Sequence, residues 1–220
     1  MKQHALLLST IMVQAYLADR KFVTRRLPGP TNSLVDGRRV SGKRWKELQF
    51  DFTRYEVVND SATGFNCFKI WSGKDKEFKT VSPVYRKGEG LWFRETWFND
   101  ADKGEMPVYV YKADQENYPR GSSSWRPSIH LPKDGCRLFA TCGPIICEPL
   151  QAITQEQAIA EGIERPAPHR CPGWQNPLNN HRDCYICAYK QLWNQLNAEK
   201  GFGWDKNPPV YAINFTPDKK

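Results

Sequence analysis

The sequence predicts an α+β fold, a small β-barrel with a few flanking helices, and three observations predict it. Short runs of alternating, β-branched and aromatic residues recur between turn residues, whereas few segments keep a helical period. Sixteen prolines are spread along the chain and interrupt any long helix. The 8 Trp, 9 Tyr and 11 Phe exceed what a minimal helical bundle uses. With 220 residues and 40% apolar content, the chain is read as one domain with a real core. Disordered, collagenous and multi-span membrane classes are excluded by the same figures.

The elements follow in order. Leu6-Leu7-Leu8 is a short apolar run, and Ser9-Thr10 then offers a helix N-cap. Thr10 to Arg20 has Ile11, Ala15 and Ala18 at helical spacing, with Met12 and Tyr16 widening the stripe. Lys21 to Arg26 reads as a strand stopped by Pro28-Gly29-Pro30, and Thr31 to Lys46 as polar, basic loop. Thr53 to Val58 and Phe65 to Trp71 read as a hairpin, and Leu91 to Trp97 as an aromatic strand. Val108 to Lys112 and Arg137 to Thr141 are further strands. Ile153 to Gly162 is a short helix, with Thr154 and Gln157 spaced as a capping box. Tyr185 to Leu196 is another helix, and Val210 to Phe215 a last strand that would close the sheet.

Charge is uneven. From Arg20 to Lys46 nine basic residues face one acid, Asp36, so this stretch carries the whole formal excess of +8. Such a local excess suits a phosphate-contacting surface, with Arg25, Arg38, Arg39, Lys43 and Arg44 as the phosphate ligands; a solvated basic loop is the alternative. The N-terminal apolar run is far short of a membrane span, and Gln14 and Tyr16 spoil a signal-peptide cleavage region. Seven cysteines form no regular framework, which points to a reduced, cytoplasmic protein.

Three segments resemble one family. Leu7-Leu8-Ser9-Thr10 through Asp19-Arg20-Lys21-Phe22-Val23-Thr24-Arg25-Arg26 is similar to a helix followed by GRKTxTxR. Tyr85 through Trp97 resembles the phage-type strand GDxLWVRETW. The third comprises Trp125 to Pro132, Leu150 to Ile163, and Trp204 to Phe215. Together they resemble the ASCH family, in its long phage and prophage form, whose fold is PUA-like. The resemblance spans the chain as a single domain, with insertions at about 45–80 and 165–184. Asp19 stands where the family's turn glycine is usual, and Phe22 where a threonine is.

One branch of that family hydrolyses the amide of cytidine acylated on its exocyclic amine, using a Lys, a Thr and a Glu. The matching positions here are Lys21, Thr24 and Glu161. The chemistry is coherent in itself. A threonine hydroxyl needs a base to become a nucleophile, a lysine can be that base if burial or neighbouring cations lower its pKa, and a glutamate can orient the amine or protonate the leaving group. Strict strand alternation puts Lys21 and Thr24 on opposite faces, so the pair requires a bend between them. The plainer alternative makes Lys21 and Thr24 ordinary edge residues and Glu161 a helix-end surface acid.

Other site candidates come from residue type. Arg26 or Arg94 can hold a phosphate or polarise a carbonyl, and Glu95 beside Arg94 either lines the pocket or forms a buried structural pair. Trp92 and Trp125 can stack on a nucleobase, although aromatics of this kind are mostly core. His169, Cys171, His181, Cys184 and Cys187 offer a closed structural zinc set, with Cys171, Cys184, Cys187 and His169 as its first choice. No cofactor is expected for catalysis. The functional expectation is recognition of a nucleoside or single-stranded nucleic acid, RNA ahead of DNA, with amide hydrolysis on a modified base. The alternatives are a non-catalytic RNA- or DNA-binding module and a phage accessory protein that binds a host protein.

Overall fold

Ser9 caps the first helix: its hydroxyl accepts from the Met12 amide, and α1 runs Thr10–Leu17. The helix stops short of Arg20 because Asp19 takes φ +52°. The Asp19 and Arg20 amides then donate to the Tyr16 and Ala15 carbonyls at 3.1 and 2.9 Å, a Schellman stop. Aspartate is among the few residues other than glycine that tolerate this left-handed conformation. These features belong to a computed structural model that describes residues 2–60, 65–99, 109–114, 124–164 and 184–218.

The strands are β1 (Gln3–Leu7), β2 (Val23–Arg26), β3 (Ser33–Val35), β4 (Phe50–Asp60), β5 (Phe65–Ser72) and β6 (Glu77–Pro83). They continue with β7 (Gly90–Arg94), β8 (Trp97–Asn99), β9 (Tyr109–Tyr111), β10 (Leu138–Pro149) and β11 (Pro209–Pro217). The remaining helices are α2 (Gly42–Glu47), α3 (Gln155–Ala160) and α4 (Tyr185–Asn197). The fold is thus α+β, with sheet predominating over a few short helices.

The main sheet has the order β1-β7-β10-β11-β2, with β1 parallel to β7 and the other pairs antiparallel. The last strand does not close the sheet. It lies inside it, and Pro209 through Phe215 are buried with the one exception of half-buried Asn214, as a strand covered on both faces requires. Among the described residues no ladder joins β1 to β2, so the main sheet is open. Arg26 links these two edges by donating from its guanidinium to the Leu7 carbonyl.

A second, antiparallel sheet has the order β3-β6-β5-β4 and is built largely from the segment 45–80. The stretch read as basic loop therefore contains β3 and α2. Both are too short for a periodic signal, but Ser41 caps α2 by accepting from the Arg44 amide at 3.1 Å. The two sheets and α1 share one core, in which Leu6, Val13, Phe68, Val81, Phe93 and Tyr211 are buried. A smaller core under α3 and α4 comprises Leu150, Ile153, Ala158, Tyr189, Trp193 and Val210. Among the described residues no helix is long and apolar enough to cross a membrane.

Candidate active site

Strand β2 is an edge of the main sheet, and it reaches that edge through a change of partner. The Lys21 backbone bridges to Glu161 at the end of α3, and the Phe22 amide donates to the Ala160 carbonyl at 2.8 Å. From Val23 onward the chain pairs with β11 instead, with Thr24 opposite Ile213. The change of partner thus falls at Phe22, between Lys21 and Thr24. Both side chains line one cavity of about 380 Å³ together with Glu161, Arg25 and Arg26.

Lys21 is dry, with 1% of its surface exposed. Its Nζ donates to the Glu161 carboxylate at 2.9 Å, to the Glu161 carbonyl at 2.9 Å and to the Val23 carbonyl at 2.8 Å. Burial holds its pKa below the usual lysine range; Glu161 opposes that shift, whereas Arg26 and Arg25 add to it. The second Glu161 oxygen accepts from Arg25 at 3.2 Å. Arg25 in turn donates to Glu148 at 2.7 and 3.0 Å and to the Gln157 side chain at 2.9 Å. The result is a buried chain, Lys21–Glu161–Arg25–Glu148, whose formal charges cancel.

Arg26 adds a charge that this chain does not cancel. Among the described residues it makes no ion pair, its Nε is buried without a hydrogen-bond partner, and burial lowers its pKa. With both carboxylate oxygens of Glu161 taken by cations, that residue is placed to hold the Lys21 amine rather than to serve a leaving group. Thr24 is buried and lines the same wall.

Three features of the site escaped the sequence reading. Gln157 was recognised only as a cap, yet its side-chain oxygen accepts from both the Thr154 amide and Arg25. Glu148 on β10 carried no signal at all. The third is a cavity wall from α4, where Tyr189, Leu192, Trp193 and Leu196 share one face. Their spacing was legible as an amphipathic helix, but its destination was not.

Other expected ligands lie elsewhere. The strand expected through Trp97 ends at Arg94, and Glu95 is buried against Arg137 with hydrogen bonds of 2.8 and 3.0 Å. Arg137 also donates to Asp114 at 2.5 and 2.9 Å and stacks over Tyr111 at 4.0 Å, so Glu95 belongs to a structural network and does not line the cavity. Arg94 stacks over Trp92 at 4.7 Å and donates to the Ile129 carbonyl at 2.8 Å, outside the cavity wall. Trp92 packs on a third cluster with Trp97, and Trp125 packs edge-on against Phe98 at 5.1 Å.

Of the phosphate candidates, Arg25 is buried in the charge chain and Arg44 sits 3.7 and 3.5 Å from Glu47 and Asp75. Arg38, Arg39 and Lys43 are exposed, and among the described residues they make no ion pair. His169, Cys171 and His181 fall outside the described residues. Cys184 is the N-cap of α4 and accepts from the Cys187 amide at 3.4 Å. Among the described residues no three metal-ligating side chains cluster. No family model, curated protein or solved structure matches this chain.

Proposed function

We propose that the chain is an ASCH-type protein of PUA-like fold that hydrolyses an acyl amide on a cytidine-type base. One observation carries this reading: Lys21, Thr24 and Glu161 line a single cavity, with Lys21 buried and its pKa lowered. The neutral Lys21 amine takes the Thr24 proton as the Thr24 oxygen attacks the acyl carbon. Loss of one proton from the Lys21 ammonium removes one of its three donated hydrogen bonds and frees the lone pair that accepts the Thr24 proton, while Glu161 keeps the amine in place. Arg26, in the same wall, supplies positive charge to the oxyanion.

The C–N bond then breaks as the Lys21 ammonium returns its proton to the exocyclic nitrogen. Water, giving a proton to Lys21, opens the Thr24 ester. The carboxylic acid leaves, and Thr24 recovers its proton from Lys21. In a single-stranded RNA substrate the phosphates meet Arg38, Arg39 and Lys43.

The test is incubation of the purified protein with acylated cytidines and chromatographic separation of the products. Cytidine release is expected from the native chain, is lost in Thr24→Ala, and survives in part in Thr24→Ser. No release from any acylated cytidine would leave a non-catalytic binding module. Full activity in Thr24→Ala would overturn the nucleophile.

A further inference from the structure

The cavity lining is of two kinds. Lys21, Thr24, Glu161 and Arg26 form a charged group; hydrocarbon from α1, β1 and α4 makes up much of the rest, bordered by Asn197 and Lys200 further along α4. Along α4 the lining residues fall at intervals of three and four, so a single face of the helix forms the wall. That face changes character with position. Tyr189, with Arg25 over its ring at 5.9 Å, borders the charged group, Leu192, Trp193 and Leu196 follow, and Asn197 and Lys200 bound the apolar stretch. The apolar stretch from Leu192 to Leu196 covers about 6 Å of helix. Met12 of α1 and Leu7 of β1 also line the cavity. Leu7 and Leu196 stay 39% and 47% exposed although they line it, so an apolar occupant would remove both from water. An acetyl methyl is too small to cover this surface.

We propose that the α4 wall is an acyl-binding chamber and that it selects acyl groups longer than acetyl. The carbonyl lies at Thr24 and Arg26, and the chain lies against Met12, Leu192 and Leu196. The proposal rests on the hydrolase reading for its chemistry, but the chamber has a binding signature of its own. Each methylene moved from water into an apolar site strengthens binding about fourfold.

Two measurements test it on the full chain. The first is binding of straight-chain amides from butanamide to octanamide, followed by calorimetry or ligand resonance. Dissociation constants are expected to fall about fourfold per methylene until the chamber is full, and to lose that dependence in Leu196→Ser. The second compares cytidines carrying acetyl, butanoyl and hexanoyl groups, where kcat/KM should rise with length and the hexanoyl-to-acetyl ratio should drop severalfold in Leu196→Ser. Amide binding that ignores chain length overturns the chamber, whatever the protein hydrolyses. Binding that strengthens with length, in a protein that cleaves no acylated cytidine, keeps the chamber and removes the hydrolase. Trp193 is no substitute for Leu196 in this test, because its indole donates to the Phe202 carbonyl at 2.7 Å and holds the fold.

Discussion

Glu161 is asked to neutralise two buried cations at once, and this sets what its removal does. Deleting one partner of a buried ion pair costs about 3–5 kcal/mol, because the charge left behind has no water to return to. Lys21→Met leaves Glu161 paired with Arg25. Glu161→Gln leaves Lys21 with two backbone carbonyls and no carboxylate, while Arg25 keeps Glu148. Glu161→Gln is therefore expected to be the more destabilising of the two in urea titrations, and the reverse order would show that Lys21 does not need its carboxylate. The lowered Lys21 pKa has a definite sign as well. The unfolded chain holds that proton more tightly than the folded one, so between the folded pKa and the ordinary lysine value of 10.5 unfolding takes up a proton. Stability contributed at this residue rises with pH across that window, and deacylation by a Lys21 base rises through the same lower pKa. A Lys21→Met variant should lose this part of the pH dependence. A stability profile identical in both proteins would remove Lys21 as the titrating group.

At the scale of elements, the turn after α3 decides whether the site can form. Gly162 has φ +89°, and a Cβ placed there would lie 2.6 Å from the Ala15 Cβ and 3.3 Å from the Lys21 Cβ. Gly162→Ala must therefore push α1 and Lys21 apart, and about 1–3 kcal/mol of stability is expected to go with it. Amide hydrolysis should fall further than the lost stability explains; a urea midpoint unchanged from the native chain would refute the crowding. How much of this was legible depended on how local each signal was. Ser9, Thr154 and Gln157 act within one turn of their own sequence, and their caps were readable. The change of partner at Phe22 has no turn residue to announce it. The strand β3 and helix α2 were missed because Ser33–Val35 becomes a strand only by pairing with β6, a partner far along the chain. Strand alternation leaves Glu95 open between the pocket and a buried pair, and the choice is made by Arg137, which no local pattern predicts. The α4 face was visible as a period, and only the tertiary placement made it a wall.

Across the whole molecule, folding redistributes the charge that the sequence concentrates. The stretch from Arg20 to Lys46 holds the formal excess of +8, yet acids from distant segments meet four of its nine cations. Arg20 pairs with Glu164, Lys21 with Glu161, Arg25 with Glu148 and Glu161, and Arg44 with Glu47 and Asp75. Lys79, at the side of this surface, is likewise placed among Asp36, Asp75 and Glu77. A linear count of basic residues therefore overstates the field that a phosphate chain would meet. Arg38 and Arg39 follow a tight turn in which Asp36 and Gly37 take φ of +47° and +77° and the Asp36 carboxylate accepts from the Thr80 amide. For single-stranded oligonucleotides, each phosphate neutralised contributes roughly 0.7 to the slope of log affinity against log salt. Replacing Arg38, Arg39 and Lys43 together by Ser is expected to flatten that slope by about 2. Adding Arg44→Ser should change it little, since Asp75 and Glu47 then lose a partner and the local charge is compensated already. A slope indifferent to the triple substitution would place the phosphate contacts elsewhere, and a full further step on removing Arg44 would show that its ion pairs open when a strand binds.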